Sequence, residues 1–217
     1  MNWLIGLYKS SVGKKILTGI TGICLLLFLI VHLVGNLLLF KNDGGAAFNA
    51  YAEILPSLLI IRVIEILLFA IFIGHIFLGT LLWLMNKRAR PRSYIINRAN
   101  QNSDFLARST FLTGSIVFIF LVIHLRQFWA PSRFGNDPAG MFTIVKAAFS
   151  DPAYGVLYVV AMIILALHLR HGFQSALQTF GLRNAKFLPL INFIGLLFWL
   201  VIPLAFAMMP VYFLLNL

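Results

Sequence analysis

The chain has 217 residues, of which 61% are hydrophobic and only 11% charged, a balance outside that of soluble globular domains. Its formal charge of +11 would suit a nucleic-acid binder, but most Lys and Arg fall between long apolar runs and form no continuous basic face, which excludes that class. The single cysteine, Cys24, excludes an intrachain disulfide and any zinc-type Cys/His spacing.

A spanning helix needs about 20 predominantly apolar residues. Residues 16–40 are the first such run. This run is too long for a signal-peptide core and has no small-residue cleavage pattern after it, so it is expected to remain as the first spanning helix. Asn42-Asp43-Gly44-Gly45 and Pro56 punctuate the connection to the second run, 57–85. A basic connection leads to the third, 107–130, and Pro131, Asn136-Asp137-Pro138 and Asp151-Pro152 separate it from the fourth, 153–180. The fifth, 187–215, contains Pro203 and Pro210, which predict bends of a kind that membrane helices tolerate. No internal repeat is expected, and the connections are too short for a soluble catalytic domain. Residues 1–217 therefore read as one all-α integral membrane domain of five spanning helices.

Positive residues set the expected orientation, because cytoplasmic flanks retain Lys and Arg. Lys9, Lys14 and Lys15 precede the first run, Lys87, Arg88, Arg90, Arg92, Arg98 and Arg108 crowd the second connection, and Arg183 and Lys186 occupy the fourth. The other connections mix Lys41, Arg62, Arg126, Arg133 and Lys146 with Asp43, Glu53, Asp137 and Asp151. A cytoplasmic N-terminus, an outer C-terminus and a multi-pass place in the cell's inner, cytoplasmic membrane follow as expectations.

All five histidines, His32, His75, His124, His168 and His171, fall inside spanning runs, where an ionisable side chain is costly and marks a functional site by default. Singly, each would serve equally well as a hydrogen-bonding contact between helices. Four consecutive helices each carrying one point instead to haem, whose iron takes two axial imidazoles from facing helices. Depth predicts the pairing. At about 1.5 Å per residue, His32 lies about 25 Å beyond Lys15 and His124 about 24 Å beyond Arg108, whereas His75 lies about 18 Å from Lys87. His32 with His124 is thus expected at an outer b-type haem, and His75 with a histidine of the fourth helix at an inner one. Measured from Pro152, His168 has the better depth; measured from Arg183, His171 does. A glycine one turn after the ligand leaves room for a flat macrocycle, and Gly79 follows His75 as Gly172 follows His168, while Ser175 follows His171. His168 is preferred on that ground, with His171 as the alternative and as a donor to a propionate or a quinone.

Other positions carry weaker signals. Glu53, between the first two helices, is placed to exchange protons at an outer quinone site, or is a solvated loop carboxylate. Glu65 is a proton relay or, preferably, the partner of Arg62 one turn earlier. Ser10, Ser11, Lys14 and Lys15 stand where inner propionates or a quinone headgroup would emerge, and Arg126 stands similarly outside; each also reads as an ordinary helix-end anchor.

Taken together, Thr21-Gly22 with His32 ten residues after Gly22, His75, His124 and the segment His168-Leu-Arg-His-Gly-Phe-Gln-Ser-Ala-Leu-Gln-Thr-Phe-Gly181 resemble the cytochrome b558-type membrane subunit of succinate dehydrogenase and fumarate reductase. The resemblance covers nearly the whole chain. It implies the five-helix, dihaem fold, with helices I to IV as the haem-binding bundle, pairing of helix I with III and II with IV, and His168 as the ligand in helix IV. It further implies a flavoprotein and an iron–sulfur protein on the cytoplasmic side as partners. Electrons would pass between their clusters and a membrane quinone, menaquinone being usual for dihaem members, so the chain would be the subunit that handles quinone and not succinate. Glu53 resembles the family's acidic residue near the outer quinone site. Some fumarate reductases carry a glutamate two residues before the helix IV ligand; here Ala166 stands there. Two other readings compete: a dihaem cytochrome b of another dehydrogenase, of the hydrogenase or formate dehydrogenase type, and a transporter using intramembrane histidines.

Overall fold

The computed structural model describes residues 10–89, 105–135 and 140–215, with side chains from Ser109 onward in the second stretch. Lys9, Arg90, Arg92, Arg98, the Asn136-Asp137-Pro138 turn and the Arg108 side chain lie outside the described residues. Within them the fold is all-α, and five helical segments are long and apolar enough to cross a membrane: Ser11–Phe40, Leu59–Arg88, Ser109–Phe134, Pro152–Thr179 and Leu188–Leu214.

The first span is α1, Ser11–Asn36, closed by a 3₁₀ turn, Leu37–Phe40. Ser10 caps it by accepting from the Gly13 amide at 2.9 Å, which satisfies one of the donors a helix start leaves open. A short helix, α2, Ala46–Ser57, follows the left-handed pair Gly44 and Gly45, and contains Pro56. The second span is α3, Leu59–Arg88. The third is α4, Phe105–His124, widened by a π turn, Leu125–Trp129, and continued as α5, Ala130–Phe134. Another short helix, α6, Gly140–Ser150, precedes the fourth span, α7, Pro152–Thr179, which Asp151 caps with Pro152 in the first turn. The fifth span is α8, Leu188–Leu196, a π turn, Leu197–Val201, and α9, Ile202–Leu214. The π turn ends two residues before Pro203, which cannot donate to the ladder.

Helix α7 is the hub, packing against α1, α4 and α9, while α1 also packs along α3. A buried aromatic cluster of Phe48, Phe149, Tyr158, Met209 and Phe213 joins the short helices to α7 and α9 at one end. Helix α3 is the span least covered by its neighbours, and its exposed stripe of Leu59, Ile66 and Ile73 at heptad spacing is an apolar face of the kind a bilayer solvates.

The order of the elements and the spacing of their residues give an internal repeat that was not expected from the sequence. Span, turn, short helix and span occur twice. Thr18, Thr21, Gly22, Phe28 and His32 in α1 recur 92 residues later as Thr110, Thr113, Gly114, Phe120 and His124 in α4. His75 and Gly79 in α3 recur 93 residues later as His168 and Gly172 in α7, and α3 and α7 begin in the same register, at Leu59 and Pro152. The two short helices meet each other closely. A Cβ on Gly45 would enter the Phe142 ring, and one on Gly140 would come within 2.7 Å of the Asn49 amide. The Phe142 amide donates to Asn49 Oδ1 at 2.8 Å. Each unit holds two spans, so both units run in the same direction, the arrangement of a parallel repeat.

Candidate functional site: two facing histidine pairs

The repeat brings the histidines together in two pairs. His32 on α1 faces His124 on α4, with ring centroids 5.8 Å apart and planes at 83°. His75 on α3 faces His168 on α7, at 6.5 Å and 85°. A metal–imidazole bond of about 2 Å places a ring centroid about 3 Å from the metal, so two rings on opposite sides of one iron stand about 6 Å apart. Both separations match that figure. The donor set also fits. Among the described residues no group of three or more His, Cys, Asp or Glu is placed to hold a metal, and two imidazoles alone are too few for a protein-only zinc centre. Two imidazoles are the axial complement of haem, whose macrocycle supplies the remaining four donors.

Local chemistry orients each ring. Thr21 Oγ1 lies 3.1 Å from His75 Nδ1, and Thr113 Oγ1 lies 3.4 Å from His168 Nδ1. Beside each threonine stands a glycine that lets the ring lie close: a Cβ on Gly22 would come to 3.3 Å of His75 Cε1, and one on Gly114 to 3.1 Å of His168 Cε1, tight enough that the ring would have to give by a few tenths of an ångström. Partners of the other pair differ. His124 Nδ1 meets the Tyr158 hydroxyl at 3.0 Å, and His32 Nδ1 lies 3.4 Å from Asn36 Nδ2, on its own helix. Phe28 stacks on His32 at 5.2 Å, Phe206 lies at 5.6 Å, and Phe120 and Phe128 flank His124 at 5.8 and 5.4 Å. His32 lies eleven residues beyond Thr21 along α1, so the two pairs are separated by about 16 Å along the helix axis.

His168 is thus the helix α7 ring that faces His75, as the glycine argument favours. Cβ atoms added at Gly79 or Gly172 would meet nothing within 4 Å, so open space does lie one turn beyond each ring of this pair. His171 is half-buried one turn along α7, close enough to His168 to interact with it electrostatically.

The acidic candidates separate clearly. Glu53 is exposed on α2, and no contact among the described residues ties it to either pair. Glu65, on α3, has the Arg62 guanidinium at 3.9 Å as expected from their spacing. Its principal partners come from another span: Trp129 Nε1 donates to it at 2.5 Å and Arg133 Nη2 makes a close ion pair. Sequence spacing reveals only the pair within one helix, since the cross-helix partners depend on the π turn that aims Trp129 and α5 at α3. Lys14 is buried in the first turn of α1, whereas Ser10, Ser11, Lys15 and Arg126 are exposed. Sequence reading quoted Thr21-Gly22 but missed Thr113-Gly114, Tyr158 and Asn36 as partners of the rings. The shared spacing from Thr-Gly to histidine in α1 and α4 was the available signal.

No protein-family model, no curated protein and no solved structure matches the chain.

Proposed function

We propose that this chain is a dihaem cytochrome b that anchors and serves a succinate:quinone oxidoreductase. The observation that carries the haem assignment is the pairing of four histidines from four successive spans at 5.8 and 6.5 Å. On this reading His32 and His124 hold an outer haem b, and His75 and His168 an inner one. Bound haem would supply one-electron chemistry within the bilayer. The chain's own residues fix the four imidazoles, wall the outer pair with Phe28, Phe120, Phe128 and Phe206, and leave space beside the inner pair at Gly79 and Gly172.

The succinate-specific part of the proposal rests on the sequence resemblance. It gives the chain a flavoprotein and an iron–sulfur protein as cytoplasmic partners and a membrane quinone, of the menaquinone class, as the other redox partner. Glu53, exposed on the connection between the first two spans, is the candidate for proton exchange with that quinone. Glu65 is less suited, because two guanidiniums and an indole already occupy its carboxylate.

The test is purification from membranes followed by a reduced-minus-oxidised spectrum and haem quantification. Two b-type haems per chain are expected, and a haem-free protein would overturn the assignment. Co-purification of a flavoprotein and an iron–sulfur protein with succinate-dependent quinone reduction is expected. Co-purification with a hydrogenase or formate dehydrogenase instead would keep the haems and change the enzyme.

A further inference from the structure

We infer that Thr21 and Thr113 are matched positioning residues, each fixing the tautomer of one inner histidine so that Nε2 carries the lone pair offered to the iron. The inference rests on the dihaem reading. Its foundation is the direction of the hydrogen bonds. The Thr21 hydroxyl has carbonyl acceptors at 3.0 Å on Leu17 and Thr18, and that of Thr113 has one at 3.1 Å on Thr110. A hydroxyl has one hydrogen, and once it is given to a carbonyl the oxygen can only accept. A bond to His75 Nδ1 at 3.1 Å or to His168 Nδ1 at 3.4 Å therefore requires the hydrogen to be on the ring nitrogen.

The same solution occurs twice at positions 92 residues apart, in both cases with glycine as the next residue, so that the ring lies close against the helix. A hydrogen bond from the distal ring nitrogen raises the basicity of the ligating one and holds the ring's orientation. More basic axial ligands stabilise the oxidised iron, so losing the acceptor makes the haem easier to reduce. The His32–His124 pair has no threonine partner among its contacts, and so should not respond.

Potentiometric titration of the intact complex carrying Thr21→Val or Thr113→Val tests this. Valine keeps the shape and removes the acceptor. At a fixed ambient potential the oxidised-to-reduced ratio of the inner haem is expected to fall about two- to tenfold, the range of one hydrogen bond, with the larger change at Thr21, where the contact is shorter. The outer haem should stay put, and Thr21→Ser should restore the inner one. An inner haem that does not move, movement of both haems together, or failure of serine to restore it overturns the inference. Nitrogen-15 spectra of the histidine rings in the wild-type protein give a readout that needs neither variant nor haem. Nδ1–H is expected at His75 and His168, and an Nδ1 without its hydrogen at either sinks the inference even if both haems are present. A haem-free wild type would instead sink the proposed function and leave the tautomers to be read from the same spectra.

Discussion

The two histidine pairs occupy equivalent places in a duplicated frame and are supported by different means. Around His75 and His168 both units use the same device, a threonine oxygen on the ring and a glycine behind it. Around His32 and His124 the units have parted. Asn36 serves His32, and its equivalent is Phe128, which packs on His124 as an aromatic wall. Tyr158 serves His124, and its equivalent, 93 residues earlier, is Glu65, which turns away to Arg133 and Trp129. The backbone diverges at the same level, with a 3₁₀ turn after α1 and a π turn after α4. The duplicated scaffold thus keeps its symmetry at the inner pair, where each ring is held by the same Thr-Gly step of a neighbouring helix, and loses it at the outer pair, where Asn36 and Tyr158 have no like residue at the equivalent position. On the dihaem proposal, such different environments would give two otherwise alike irons different potentials.

The largest effect expected is loss of one site at a time. His75→Ala or His168→Ala should lower haem content from two per chain to about one and leave the outer haem's spectrum in place, while His32→Ala or His124→Ala should do the converse. Loss of both haems from any one of these would show that the pairs are not independent. Gly114→Val comes next. Its first added carbon already stands 3.1 Å from His168, and overpacking of this kind costs about 1–3 kcal/mol, so inner haem occupancy should fall while the outer haem persists. At the other end, Glu65→Gln leaves Arg62 and Arg133 without their counter-charge, and a lowered unfolding midpoint, about 1–2 kcal/mol, is expected with inner haem content unchanged. An inner site that responds to Glu65 as much as the outer one would blur the distinction between the two levels.

The spans were legible because each carries a long apolar run, and the pairs were legible because depth along a helix is a matter of counting. That His168 is the α7 ring opposite His75 accords with the reading drawn from Gly172. What the sequence concealed was the repeat. Within the matched stretch of α1 and α4 most positions exchange one apolar residue for another, Ile20 for Leu112, Leu25 for Val117, Ile30 for Val122, which lipid and loose packing accept equally. Only Thr18, Thr21, Gly22, Phe28, Leu29, His32 and Leu33 keep their identity, scattered over four turns. The short helices α2 and α6 were hidden for another reason: they lie in segments whose Gly, Asn, Asp and Pro read as loop, yet Asp43 accepts from the Gly45 and Ala47 amides and Gly45 supplies the left-handed turn that starts α2. The cross-helix partners of Glu65 could not be read, since Arg133 and Trp129 lie more than sixty residues away in sequence.

Tyr158→Phe gives the smallest effect and the sharpest contrast. The Tyr158 ring packs on Phe120, Phe149 and Tyr154 at 4.8, 4.9 and 5.0 Å, and phenylalanine retains all of that. What is lost at His124 is the contact from the phenol to Nδ1 at 3.0 Å, worth about 1 kcal/mol. For His124 to offer Nε2 to an iron, Nδ1 must hold the hydrogen and the phenol oxygen must accept it, as the threonines do at the inner pair. Removing that acceptor should therefore make the outer haem easier to reduce, with a severalfold fall in its oxidised-to-reduced ratio at fixed potential and no change at the inner haem. A rise would mean that the phenol donates to Nδ1, which would put the hydrogen on Nε2 and remove His124 from the ligand set.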